Sequence, residues 1–258
     1  MAENPVIFIS HITEEAEVAA IFKGEIEAKF LGMVRIFVSS DASSLGLGRN
    51  WLDEITANLR HCASMLVFCS PYSILRPWIN FECGAGWARG IEIAPLCHSG
   101  LRPVDLPLPI SLLQGIEAAD ATKIEQVFRL IAAKLGSQIP VVNTHEISAK
   151  VREFEVRYTE ENDIMVHLRN INTISSEIIA LLANVAPETV VPIERVPERL
   201  VERMRSDLDA LQGRCLLTYS FGVAGVGFST RGGGTYGTLN VSLQPRVVAA
   251  CISLMKAI

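Results

Sequence analysis

The chain has 258 residues, 49% of them hydrophobic, and a formal net charge of −5. That length buries one large core or two smaller ones, and the mild acidity argues against bulk attraction to nucleic acid or an anionic membrane. No apolar run reaches the roughly 18 residues of a membrane-spanning helix. The start, "MAENPVIFIS", lacks the basic region and long apolar core of a secretory signal. The six cysteines, Cys62, Cys69, Cys83, Cys97, Cys215 and Cys251, form no C-x-x-C pair. Most lie in apolar stretches, which reads as buried free thiols in a reducing compartment. The five histidines do not join them at metal-ligand spacing. A cytoplasmic protein without a metal is the expectation.

In chain order, "VIFIS" (6–10) reads as a buried parallel strand. Residues 13–30 read as a helix, with Ala16, Ala19, Ala20, Phe22, Ile26 and Phe30 on its apolar face, acids at its start and Gly32 after its end. "VRIFVSS" (34–40) is a second strand, and "DASSLGLGRN" (41–50) a polar, Gly-rich loop. A helix over 51–62, a strand over 64–70, a helix over 78–90 ending at Gly90 and a strand over 91–98 follow. After a Pro-rich turn (101–109), residues 111–120 suit a short strand or turn, and 121–136 an amphipathic helix with a Gly stop. The periodicity fails near residue 138, which sets a boundary between domains at 1–138 and 139–258.

Beyond that boundary, "SQIPVVNTHEIS" reads as a linker. "AKVREFEVRYTEEND" (149–163) places Val151, Phe154, Val156 and Tyr158 on mixed spacing that fits helix or strand. Residues 174–192 read as a helix ended by Pro187, and 196–214 as a helix with Leu200, Val201, Met204, Leu208 and Leu211 on one stripe. Residues 215–243 alternate like a β-hairpin with a Gly-rich tip, and 245–257 close as an apolar helix. Helices, a hairpin and a helix outline a smaller α+β domain that is winged-helix-like.

Strand–helix alternation in the first half means βαβ units: a flavodoxin-like parallel sheet with helices on both faces. Ligands of such sheets bind beyond the carboxyl ends of the strands. The segment "PWINFECGAGWARG" (77–90) leads away from that edge. In it Glu82 stands among apolar and small residues, where an unpaired buried charge costs several kcal/mol. Either Glu82 pairs with Arg76 or Arg89 and Trp78 is core, or the carboxylate faces a cleft. Cys83, Gly84, Ala85 and Gly86 read as close packing of the helix on the sheet.

These segments together resemble a bacterial TIR (Toll/interleukin-1 receptor) domain over roughly residues 5–136. The features are "VIFISH", "VRIFVSS", the loop "LGLGRNW", "LVFCS" and the W-x-x-x-E of "WINFE". The resemblance implies the TIR fold. Relatives with that glutamate often hydrolyse NAD at the nicotinamide–ribose bond, and some cyclise the ADP-ribose into a signal. Others only bind one another. The segment "FECGAGWARGIEIAPL" is also similar to nucleoside deoxyribosyltransferase-like enzymes, which cut an N-glycosidic bond too.

The resemblance therefore implies an NAD+ glycohydrolase or cyclase, with NAD+ as substrate and no cofactor. Its context would be bacterial anti-phage defence, as an immune effector or signal producer activated by self-association through TIR contacts. Breaking the bond develops positive charge at the anomeric carbon. Nicotinamide leaves as a neutral base, so the useful group is a carboxylate near the ribose, which places catalysis at Glu82. Trp78, one turn earlier, shares its face and can pack the cleft or stack on a ring. Ser10 and His11, at the end of the first strand, either meet substrate or cap the next helix. Asp41, with Ser39, Ser40, Ser43 and Ser44, either bonds ribose or phosphate or forms a solvated turn. Arg49 is a pyrophosphate partner or a solvent-exposed cation. Trp51 closes the loop by packing, or forms an aromatic wall.

In the second half, residues 195–258 carry eight basic and four acidic side chains. Arg199, Arg203, Arg205 and Arg214 could face phosphates if the hairpin is a wing, or pair with Glu198, Glu202, Asp207 and Asp209. A sensing or oligomerisation domain that takes an activating ligand or partner protein is the favoured reading over nucleic-acid binding. "GVAGVG" and "RGGGTYG" lack the strand–turn–helix setting of a dinucleotide fingerprint and read as hairpin.

Overall fold

The computed structural model describes residues 4–39, 51–229 and 232–256, except for the side chains at 51, 52, 54, 226–229 and 232–234. The chain divides into two compact units, Met1–Tyr158 and Thr159–Ile258. The division falls twenty residues later than the loss of periodicity suggested.

The first unit is a five-stranded parallel sheet in the order β2-β1-β3-β4-β5. Its strands are β1 Val6–Ser10, β2 Arg35–Val38, β3 Cys62–Cys69, β4 Glu92–Cys97 and the two-residue β5 Ile116–Glu117. The pleat sends alternate residues to opposite faces. Ile7, Ile9, Leu66 and Phe68 pack on one face against α1 (Ala16–Phe30) and α4 (Glu125–Leu135). Phe8, Met65, Val67 and Cys69 pack on the other, against α2 (Trp51–His61) and α3 (Pro77–Ala88). With both faces covered, the central strands read as continuous apolar runs. On α1 the buried stripe is Val18, Ala19, Phe22, Ile26 and Phe30, while Ala16 and Ala20 are exposed.

Of the linker expected at 137–148, residues 137–143 form no regular element and 144–148 begin a helix. The long α5 spans Thr144–Ile174. Its early residues Ile147, Val151, Phe154 and Tyr158 recur at helical spacing and join the first unit's core, while Val156 is exposed. That buried stripe carries the first unit's boundary out to Tyr158.

The second unit holds residues 159–174 of α5 with α6 (Ser176–Leu182), α7 (Glu198–Gly213) and α8 (Pro245–Lys256). They pack on an antiparallel sheet ordered β6-β8-β7, formed by Val191–Pro197, Gly232–Leu243 and Leu217–Ser229. The helix expected over 174–192 is shorter. Ser175 Oγ caps α6 by accepting from Ile178 N, and residues 191–197 form β6 with Ile193 and Val196 buried. Pro192 is tolerated because β6 is an edge strand. In the hairpin, a Cβ at Gly237 would fall 2.3 Å from Gly222 O and 2.6 Å from the Phe221 ring, so only glycine fits there.

Candidate active site

The order β2-β1-β3 reverses chain direction across the sheet between β1 and β3, and a ligand crevice forms outside the carboxyl ends at such a point. Ser10 ends β1. From β3 the chain passes through a turn and enters α3 with Pro77 at its first position, where the missing N–H is no loss. The buried residues of α3 are Ile79, Glu82, Cys83 and Gly86, spaced as one helical stripe. Glu82 thus holds a core position. Gly86 lets the helix approach the sheet, because a Cβ there would meet Ile93 Cδ1 at 3.1 Å and Met65 Cε at 3.2 Å. Of the four small residues, Cys83 and Gly86 pack inward, whereas Gly84 is exposed with open space around its Cβ direction.

Glu82 is fully buried. Ser10 Oγ donates to its Oε2 at 2.5 Å, and Trp78 Nε1 donates to its Oε1 at 2.8 Å. Trp78 is half-buried, with its ring 5.2 Å from that of Phe81. The arginines that could have neutralised Glu82 go elsewhere. Arg76 pairs with Glu14 at 3.1 Å, and Arg89 donates to the carbonyls of Leu59 and Cys62. Among the described residues no ion pair reaches Glu82. Burial pushes its pKa up to about 7, against the opposing pull of the Ser10 and Trp78 hydrogen bonds. The site therefore has a carboxyl group poised between its two protonation states near neutral pH.

Of the candidates, Ser10, Trp78 and Glu82 are brought together. His11 is buried beside Ser10, and its backbone N–H donates to Ser39 Oγ at 3.4 Å. Asp41 and Arg49 lie outside the described residues, as do Ser40, Ser43, Ser44 and the side chain of Trp51, which opens α2.

A second buried polar group went unnoticed in the sequence. Glu15, His98, Ser70 and Ser73 are buried at the same sheet edge, and Tyr158 reaches them from α5. Tyr158 OH donates to Glu15 Oε1 at 3.2 Å and lies 3.0 Å from Ser70 Oγ. His98 Nε2 sits 3.2 Å from Glu15 Oε1, a contact that becomes an ion pair when the imidazole is protonated. Burial alone would raise the pKa of Glu15, but His98, Ser70 and Ser73 together hold it below the usual value. The signal was present in position: Ser70 and His98 each directly follow a strand.

The six cysteines are free. Burial pushes the thiols of Cys83 and Cys97 up to about 12, so they are inert at neutral pH. No described helix is long and apolar enough to cross a membrane.

Residues 7–131 match the family model of the TIR domain. The first unit is a TIR domain. Its family match stops within α4 and leaves the second unit unassigned. No curated protein matches the chain. TIR domains include NAD-cleaving members and interaction modules, and they commonly self-associate.

Proposed function

We propose that this TIR protein is an NAD+ glycohydrolase that cleaves the nicotinamide–ribose bond, with Glu82 as its catalytic carboxylate. The observation that carries the reading is a buried carboxyl group in the core stripe of α3, held by two neutral donors and with no ion-pair partner among the described residues. Such a group is costly to fold around, and perturbed carboxyls of this kind cluster at functional sites.

In the reaction, the C–N bond to the ribose breaks with its electron pair leaving on nicotinamide. Positive charge develops at the anomeric carbon, and water adds there to give ADP-ribose and a proton. A ring nitrogen or hydroxyl of the same molecule in place of water would give a cyclic product. Ionised Glu82 stabilises the cationic transition state and accepts from ribose hydroxyls. Buried surroundings leave its field poorly screened. Ser10 and Trp78 orient its two oxygens.

The expected role is that of a bacterial defence effector or signal producer. Activation by self-association would come through the TIR unit, with the second unit receiving the trigger. Arg199, Arg203 and Arg205 on α7 are exposed. Asp207 bonds His167 and Asn170, Asp209 bonds Tyr219, and Arg214 pairs with Asp163. The acids of α7 are thus taken by other elements more than by its own arginines. A ligand or protein partner remains the favoured trigger over nucleic acid.

One observation favours a second reading, a non-catalytic interaction module: both oxygens of Glu82 are already engaged and the side chain is sealed. Incubating the full chain with NAD+ over a range of protein concentrations, with and without a crowding agent, separates the two. The catalytic reading expects nicotinamide release that rises with concentration and is lost in Glu82→Gln. Release unchanged in Glu82→Gln, or none at any concentration, sinks it.

A further inference from the structure

The turn between β3 and α3, residues 70–76, carries the chain from the sheet to Trp78 and Glu82. It is built on two serines. Ser70 N donates to Ser73 Oγ at 2.7 Å, while Tyr72 N and Ser73 N donate to Ser70 Oγ at 3.3 and 3.1 Å. A turn held by its own hydroxyls and amides still needs an anchor to fix its place on the sheet edge. That anchor is α5. Tyr158 has a single hydroxyl proton, and it goes to Glu15 Oε1. The phenol oxygen is left to accept from Ser70 Oγ at 3.0 Å, the shorter of that hydroxyl's two contacts with other hydroxyls, Ser73 Oγ lying at 3.3 Å.

Glu15 is itself fixed. Its Oε2 accepts from Ile12 N at 3.3 Å, and His98, just after β4, lies against its Oε1. The Tyr158 ring is clamped by Tyr72, Phe154 and His98 at centroid distances of 6.0, 5.1 and 5.5 Å. The network is buried, so it offers substrate no access. It does touch both routes to Glu82. Glu15 ends the short connection that starts at Ser10, and Ser70 opens the turn that leads into α3.

We propose that Tyr158 is a positioning residue for Glu82, latching the β3–α3 turn and the β1–α1 connection to α5. Glu82, Ser10 and Trp78 are then in register only while α5 is docked. This rests on Glu82 being the catalytic carboxylate. The Tyr158 hydroxyl bridges Glu15 and Ser70 in a buried setting where such bonds are strengthened, and small displacements of a catalytic group are costly: a misplacement of about 1 Å lowers rates on the order of a hundredfold.

The test is Tyr158→Phe in the full chain, which keeps the ring and removes the hydroxyl. Three readouts apply. Hydrogen exchange of the amides of residues 70–76 should quicken about tenfold, with α2 unchanged. The carbon-13 NMR titration midpoint of the Glu82 carboxyl should move upward as its donors loosen. Nicotinamide release should show kcat reduced about tenfold with KM within about twofold. A purely structural hydroxyl would leave the Glu82 midpoint and kcat where they are. Unchanged exchange or an unmoved midpoint overturns the latch, as does a kcat equal to wild type. The exchange and titration need no turnover, so an inactive wild-type protein would refute the NAD reading while these two still decide the latch.

Discussion

Glu82→Gln tests the raised proton affinity of the buried carboxyl without any substrate. In the folded protein the carboxyl titrates at about 7, against 4.5 as its ordinary value. At about 1.4 kcal/mol per pH unit, ionised Glu82 costs the fold about 3 kcal/mol. The folded state holds the proton more tightly than the unfolded chain. Stability from this group is therefore full below about 4.5 and is lost as pH rises through about 7. Glutamine has nearly the same shape, can accept from Trp78 Nε1 and can donate to Ser10 Oγ, but it never ionises. The variant should thus match wild type near pH 4 and exceed it by about 3 kcal/mol at pH 8. For a unit of this size that is roughly 10 °C in Tm. All three tryptophans, Trp51, Trp78 and Trp87, lie in the first unit, so thermal melts followed by tryptophan emission report that unit alone. A stability difference that is the same at both pH values would refute the raised proton affinity. So would a variant less stable than wild type at pH 8.

Two further outcomes are expected. Ser10→Ala removes the donor to Oε2 and leaves a buried carboxylate oxygen short of a partner. It should cost about 1–3 kcal/mol at pH 8, less near pH 5, and raise the Glu82 midpoint in the NMR titration; a midpoint at or below wild type contradicts the assignment. Gly86→Ala forces a Cβ toward Ile93 and Met65. Strain of that kind should lower stability by about 1–3 kcal/mol, seen as a lower melting temperature by tryptophan emission, and an unchanged value would mean that α3 has room to move.

The sheet was legible because its strands are buried on both faces and its helices carry long apolar stripes. "VIFIS" and "SMLVFCS" announce themselves by composition alone. Glu82 was legible as an anomaly, a charge where the helix stripe requires an apolar residue. What the sequence hid was pairing. Nothing in one dimension says that Arg76 turns to Glu14 or that Arg89 caps the end of α2, and those choices leave Glu82 without a cation among the described residues. The division between the compact units at Tyr158 was hidden because Val156 interrupts the stripe on α5. Starting from Ile147 and omitting Val156 makes the spacing helical. The strand at 191–197 was missed because two prolines flank its few apolar residues, and only pairing with β8 makes them a strand. The Glu15–His98–Tyr158 network lay beyond reach for the same reason: its members come from four separate stretches of chain.

The sealed state of Glu82 and its proposed work are reconciled by the charge of the substrate. A ribose hydroxyl that replaced the Ser10 or Trp78 donor would exchange one hydrogen bond for another, so the exchange itself gains little. What the substrate adds is the cationic nicotinamide ring. A positive charge within about 4–6 Å of a carboxyl favours its ionised form, and the effect is strong where solvent is excluded. NAD+ would thus lower the Glu82 pKa as it binds, converting a group poised at about 7 into the carboxylate that the reaction needs. Linkage makes this reciprocal: NAD+ should bind more tightly as pH rises through that value. Once nicotinamide left as a neutral base, that attraction would disappear and Glu82 would return toward its protonated, self-bonded state. On this argument the buried position of Glu82 keeps the carboxyl partly protonated near neutral pH until a cation arrives to favour its ionised form.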